Sequence, residues 1–471
     1  MMSRMNADGA TKRATGRLDC PVVPFVTLEK HRVDLRGSVI AMLRLERLAI
    51  LALAATAAGA QPAPPSDSIS VMLRTRQYFV LSRLLTADSA AGGVDRPCFL
   101  GQVQAAFRRI PPAIAGLRAC ADVATDSSLR RDALERLATV LADAGRLQES
   151  AQALAELVDR FGRVTPAATP GWQAALAMMR ARTQGPPMRV ASRGAARVRV
   201  ERNQFGMTLV PAAVNGREQA LLLDTGAGMS VLIASVADSL GVQMVPGTLP
   251  VAGGTGATMQ GRVGTAQLVF AGATLEDVPF LVLPDSVLHV RAGPLQLQVR
   301  GILGLPVLVA LEEFDLTSDG WLEVPQSPRL SGPPNLALDG QRLLADALFG
   351  QQAGVLTLDT GARSTTLYPP ARSLVGADTA AGTRGTIQMG GAGGTRTYAI
   401  TRLPAVNVRL GDTVVTLRQV PMMAEAPNER ARYAAGNLGQ DVFGAYPVVT
   451  FNFREMILRL GTDRAPRRSP R

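Results

Sequence analysis

Two stretches carry acids whose placement invites chemistry: LLLDTGAGMSVL, residues 221–232, and TLDTGARSTTL, residues 357–367. Each sets an aspartate, Asp224 or Asp359, at the end of an apolar run and follows it with Thr-Gly-Ala. The echo extends further. Ser230 and Thr365 stand six residues on, Leu232 and Leu367 eight on, and Gly304 and Gly439 each stand 80 residues after their aspartate. A lone Asp-Thr-Gly is ordinary turn chemistry. Agreement in both motif and spacing, with 135 residues between the two acids, argues against two accidental turns. After Met42 the chain holds one histidine, His289 in PDSVLHVRAG, and two cysteines, Cys98 and Cys120. A zinc site of the His/Cys kind therefore lacks ligands, no metal is expected, and a Ser-His-Asp or Cys-His arrangement would rest on His289 alone. A lone histidine in an apolar segment is more often structural than catalytic. The carboxylates are left as the main candidates for acid–base work.

Positioning these acids needs β structure around each, and from Arg197 onward the pattern supplies it in short period-two runs broken by Gly, Asn and Pro. The stretch VPAAVNGREQALLLD sets Asn-Gly between two apolar runs, a hairpin signal that leads straight into Asp224. Proline-rich text at 324–335 separates two β-rich blocks, 197–327 and 330–461, and a basic tail follows at 462–471. Ahead of the blocks, residues 61–190 have helical spacing. Within 129–162, Leu, Ala and Val recur three and four apart, break at DAGR and resume, which predicts two amphipathic helices joined by a tight turn. Two readings stay open for this part: a tetratricopeptide-like hairpin, or an unspecific helical bundle, since one unit is clear and a stable array needs about three. QGPPMRVASRGAA, at 184–196, reads as a linker.

The first 60 residues do not read as folded protein. From Met42 the text has Arg44 and Arg47, an apolar run at 48–58, and small residues ending at Ala60, the layout of a secretory signal peptide. The run is short for a bilayer, so no stable membrane span is expected. Met42 is the expected start and 1–41 a doubtful extension. The mature chain is then expected in the periplasm or outside the cell, where Cys98 and Cys120 either form a disulfide or remain two buried thiols. The formal charge of +12 does not point to nucleic acid: lysine occurs only at Lys12 and Lys30, and the arginines are scattered rather than interleaved with aromatics. The glycine clusters lack the strand-then-helix setting and the lysine of a phosphate loop, and no cofactor is implied.

The doubled motif can be placed by resemblance. Apolar-apolar-Asp-Thr-Gly followed by an apolar-apolar-Gly segment, GILGLP at 301–306 and GNLGQD at 436–441, resembles the lobes of aspartic peptidases over residues 197–461. Ala227 and Ala362 and the short lobes resemble the retropepsin branch, whereas two lobes in one chain resemble pepsins and bacterial retropepsin-like proteins with duplicated lobes. The resemblance implies a multidomain chain, an all-β bilobal acid-protease fold preceded by an all-α domain. It implies an endopeptidase in which Asp224 and Asp359 share a proton and activate a water. Two carboxylates about 3 Å apart cannot both ionise, which supplies one base and one acid in the same site. Thr225 and Thr360 would tie the two turns together, and Gly226 and Gly361 would permit the tight turn. The family's flap, a glycine-containing hairpin over the substrate, would fall at 251–264, with Gly253, Gly254 and Gly256, and again at 389–400, with Gly390, Gly391 and Tyr398. Simple flexible loops are the other reading of both. The partner implied is a peptide or protein substrate, and the helical domain would dock a further protein or restrain the enzyme. The alternative is a non-catalytic peptide-binding or assembly module built from the same parts.

Overall fold

The computed structural model describes residues 66–253, 258–292, 295–376, 382–392 and 394–461. The stretch read as an extension and a leader, 1–60, and the one read as a basic tail, 462–471, lie outside the described residues. A helical part comes first and a β-rich part follows.

Among the described residues, seven α-helices precede the first strand: α1 Ser66–Arg74, α2 Tyr78–Ala87, α3 Arg96–Ala106, α4 Ile110–Val123, α5 Ser127–Asp143, α6 Leu147–Phe161 and α7 Thr169–Arg182. The Asp126 side chain accepts from the Ser128 amide at 2.7 Å and so starts α5. The DAGR break is the turn to α6, with Gly145 at φ 72°. Leu147, Ser150, Ala153, Leu154, Leu157 and Phe161 then form the buried stripe of α6 at helical spacing. None of the described helices is long and apolar enough to cross a membrane.

Helices α3 and α4 approach backbone to backbone, because a Cβ on Gly101 would lie 2.7 Å from the Leu117 nitrogen and one on Gly116 would lie 2.9 Å from the Gly101 Cα. Cys98 and Cys120, one turn away on either helix, form a disulfide across a sequence separation of 22. Closing a loop of that size removes about 3 kcal/mol of unfolded-state freedom. Reduction, or a Cys98→Ala/Cys120→Ala double variant, is expected to lower the stability of the helical part by about that amount. Denaturant unfolding followed by far-UV circular dichroism, with and without reductant, checks it, and an unmoved midpoint refutes it.

The β-rich part has two halves. The first is a ten-stranded sheet and the second an eight-stranded sheet. A five-stranded sheet joins them, since Glu313–Thr317 from the first half pairs antiparallel with Val448–Asn452 from the second. Its buried face carries Phe314, Phe451 and Phe453 in ring contact. Polar residues on this sheet are satisfied rather than orphaned: Arg329 pairs with Glu313 at 2.9 Å and Asp315 at 2.6 Å, Asn452 donates to Glu313 at 2.7 Å, and Thr450 donates to Asp315 at 2.6 Å.

One expectation needs correction. Part of the stretch read as a linker is a strand, Arg189–Arg193, which pairs with Glu276 through Ala273 at the sheet edge. It is mostly exposed, so it has no buried face to impose a period of two on its residues.

The helical part packs on the second half. Ala337, Leu344 and Val355 of that half belong to the same apolar cluster as the helix residues. Around them Arg76 pairs with Asp339 at 3.0 Å, the Tyr78 hydroxyl donates to Asp339 at 3.0 Å, and Arg136 donates to the Leu338 carbonyl. These cations hold the Asp339 carboxyl below the usual carboxylate range against the opposing effect of burial.

Candidate active site

Each half builds its Asp-Thr-Gly turn in the same way. Strands Thr208–Val214 and Arg217–Leu223 form a hairpin closed by Asn215 at φ 47° and Gly216 at φ 76°, and the second strand ends immediately before Asp224. Strand Gly301–Leu303 lies parallel to that end, with Ile302 beside Leu222. The Asp224 amide donates to the Leu303 carbonyl at 3.1 Å and the Leu305 amide to the Ala227 carbonyl at 2.8 Å. In the second half Gln352–Leu358 lies parallel to Gly436–Leu438, the Asp359 amide donates to Leu438 at 3.0 Å, and the Gln440 amide donates to Ala362 at 2.9 Å.

The spacing echo acquires a structural reason here. Ser230 accepts from the Gly304 amide at 3.1 Å, and Thr365 accepts from the Gly439 amide at 3.1 Å. Each glycine also sits where a Cβ has no room: it would lie 2.5 Å from the Met229 carbonyl carbon at Gly304 and 2.7 Å from that of Ser364 at Gly439.

The two turns are bonded to each other. The Thr225 amide donates to Thr360 Oγ1 and the Thr360 amide to Thr225 Oγ1, both at 3.0 Å. Each hydroxyl in turn donates to the opposite strand end, Thr225 to Leu358 O and Thr360 to Leu223 O, both at 2.9 Å. Both threonines are fully buried. Gly226 and Gly361 serve the junction differently from the sequence-based expectation. Neither has a positive φ, so the turn itself does not demand glycine. A Cβ on Gly226 would instead meet the Asp359 Cγ at 2.7 Å, and one on Gly361 would meet the Asp224 Cγ at 2.6 Å. Each glycine is the space into which the other half's carboxyl fits.

The carboxyls therefore share one place. Asp224 Oδ1 accepts from the Gly226 amide at 2.7 Å and the Ala227 amide at 3.1 Å; Asp359 Oδ1 accepts from the Gly361 and Ala362 amides, both at 2.9 Å. The two carboxyls lie close enough for each to act on the ionisation of the other. Burial raises the Asp224 carboxyl well above the usual range, and the neighbouring Asp359 charge pushes the same way. Burial also raises Asp359, held back by hydrogen bonds from Asn437, from Asp224 and from the two backbone amides. Such a pair titrates as a unit.

Other sequence-derived candidates fall elsewhere. Gly253 ends the strand Leu249–Ala252 that pairs with Thr258–Phe270, while Gly254 and Gly256 lie outside the described residues. Gly390 and Gly391 close the hairpin of Thr383–Gly391 with Gly394–Leu410. A Cβ on Gly253 would lie 2.1 Å from the Ala392 carbonyl oxygen, so the two hairpins meet near their tips. Tyr398 is not at a tip. It lies midway along the second hairpin, opposite Ile387, and is buried with Tyr368, Ile400 and Met423 in a small separate cluster. His289 lies exposed on a two-stranded hairpin with Leu295–Gln298.

Sequence reading missed the polar residues around the second turn. Asn437 donates to Asp359 Oδ2 at 3.1 Å, and buried Gln440 donates to the Thr360 carbonyl at 2.7 Å. Both stand in GNLGQD where the first copy has Ile302 and Leu305, so the mismatch between the copies was the available signal.

A family model described as aspartyl protease matches residues 210–307. No curated protein matches the chain. The matched segment runs from the hairpin that leads into the first turn to Gly304 and the start of the helix after it, and over that segment the chain is similar to the aspartyl protease family.

Proposed function

We propose that the chain is an aspartic endopeptidase in which Asp224 and Asp359, one from each lobe, activate a water between them. One observation carries this: two Asp-Thr-Gly turns, distant in sequence, are cross-bonded through Thr225 and Thr360 so that each carboxyl sits against the glycine of the other turn. The ionised carboxylate takes a proton from the water as its oxygen bonds the peptide carbonyl carbon, and the protonated partner gives its proton to the carbonyl oxygen. As the diol collapses and the carbon–nitrogen bond breaks, the proton taken from the water passes from the dyad to the departing amine, and one diol hydroxyl returns its proton to the other carboxylate. No covalent enzyme intermediate is needed. Since burial raises both carboxyls, the singly protonated state extends upward from the ordinary carboxylate range toward neutral pH.

The hairpins carrying Gly253 and Gly391 are the candidate flaps, because their near-tip contact gives them a common position from which to cover an extended peptide. Export fits the Cys98–Cys120 disulfide, which persists in an oxidising compartment. The test is incubation of the mature chain with a mixed peptide library across a range of pH, with and without a statine-type inhibitor. New termini that the inhibitor suppresses support the reading. Binding of extended peptides without cleavage at any pH overturns it in favour of a non-catalytic peptide-binding module.

A further inference from the structure

The two copies differ in what stands behind the aspartate. In the first half Leu222 lies beside Ile302, and Ile233 follows Asp224 by nine residues. At the corresponding places the second half has Thr357 beside Asn437, and Tyr368 nine residues after Asp359. Three aliphatic side chains are matched by three that carry polar atoms. Asn437 Oδ1 accepts from the Thr357 hydroxyl at 2.5 Å, and the same hydroxyl lies 3.1 Å from the Gly436 carbonyl oxygen. With its oxygen engaged this way, the amide presents its nitrogen to Asp359 Oδ2 at 3.1 Å. An amide N–H can only donate, and a donor favours the charged form of a carboxyl. Ile302 has no polar atom to offer Asp224.

Resting on the dyad reading above, we propose that Asn437, oriented by Thr357, is a positioning residue that fixes the roles of the two acids: Asp359 is the ionised base and Asp224 carries the proton. In the first step Asp359 then accepts the proton of the water whose oxygen bonds the carbonyl carbon, and the Asp224 proton moves to the carbonyl oxygen. As the carbon–nitrogen bond breaks, the proton held by Asp359 goes to the amine, and a diol hydroxyl returns its proton to Asp224. The fold is pseudo-symmetric, but its chemistry is directional.

The charged and titratable groups near the pair are few. Asp224 lies across the junction. Tyr368 is kept protonated by burial and by the Asp359 charge, with Tyr398 acting the same way and the Arg342 charge opposing them. Asp441, on the following turn, accepts from Thr365. The Asn437 side chain bonds Asp359 and Thr357 and touches none of these groups directly.

The experiment titrates side-chain carboxyls in the full chain labelled with ¹³C at aspartate, the dyad signals being assigned by their loss in Asp224→Asn and Asp359→Asn. Asn437→Ile, which copies the first half, is expected to raise the lower apparent pKa of the pair by about one unit, and Thr357→Val to raise it by less. Ile302→Asn, the converse change, is expected to lower the upper apparent pKa and keeps the test available should Asn437→Ile not fold. The acid limb of kcat/KM should move with the lower value. A folded Asn437→Ile or Ile302→Asn variant with an unmoved titration overturns the assignment. The titration needs no turnover, so a wild-type chain that cleaves nothing would sink the endopeptidase reading while this assignment is still decided by the resting enzyme.

Discussion

Peptide cleavage by Asp224→Asn and by Asp359→Asn is expected to fall by about a thousandfold or more in each case, with the fold retained. The amide keeps the size of the carboxyl and can still accept from the Gly226 and Ala227 amides, or from those of Gly361 and Ala362. It can neither take a proton from water nor share one across the junction. The stability consequence has a definite sign. Burial raises the Asp224 pKa above its unfolded value, so the folded state loses stability as pH climbs from the ordinary carboxylate range through the raised value. Asparagine has no such ionisation. The Asp224→Asn variant should therefore match or exceed the wild-type melting temperature at neutral pH and lose that advantage in acid. Product formation from a cleaved peptide, beside melting curves at acidic and neutral pH, checks both parts. Full activity in either variant would remove the dyad from the mechanism.

The second large effect concerns a single methyl group. Gly226→Ala and Gly361→Ala place a carbon 2.7 Å and 2.6 Å from the opposite carboxyl carbon, a side-chain end held by two backbone amides. Either that carboxyl turns away from its amides or the turns separate and the four threonine hydrogen bonds between them lengthen together. Overpacking of this kind costs about 1–3 kcal/mol, and displacement of either carboxyl should lower kcat by about a hundredfold. Gly385→Ala is the control, since nothing lies within 4 Å of the added carbon there. If Gly226→Ala and Gly361→Ala behave like that control, the close approach does not constrain the site.

The aspartates were legible because duplication writes itself twice: a shared motif and shared distance to Gly304 and Gly439 need no knowledge of the fold. The hairpin into Asp224 and the turn at Gly145 were legible too, as both are set by local backbone preference. The reason for Gly226 and Gly361 was not, because their neighbours come from the other half of the chain. Asn437 escaped for another reason: comparison of the copies rewards agreement, whereas its information lies in disagreement with Ile302. The strand at Arg189–Arg193 is exposed at an edge and leaves no hydrophobic period to read. The seat of the helices was hidden as well. Val355 reads as ordinary core of its strand, and only the assembled sheet shows that it is covered from outside by helices.

That seat changes what a backbone cut would accomplish. The chain between α7 and the strand at Arg189 is short and mostly exposed at 184–187. The helices, however, are held through Ala337, Leu344, Val355 and the ions around Asp339 rather than through that tether. Severing it would yield two polypeptides in one particle, and shedding the helical part would leave bare apolar sheet and an Asp339 stripped of Arg76 and Tyr78, with Arg342 still beside it. Cleavage at that point is thus a change of covalent connectivity, not a release of the β-rich part.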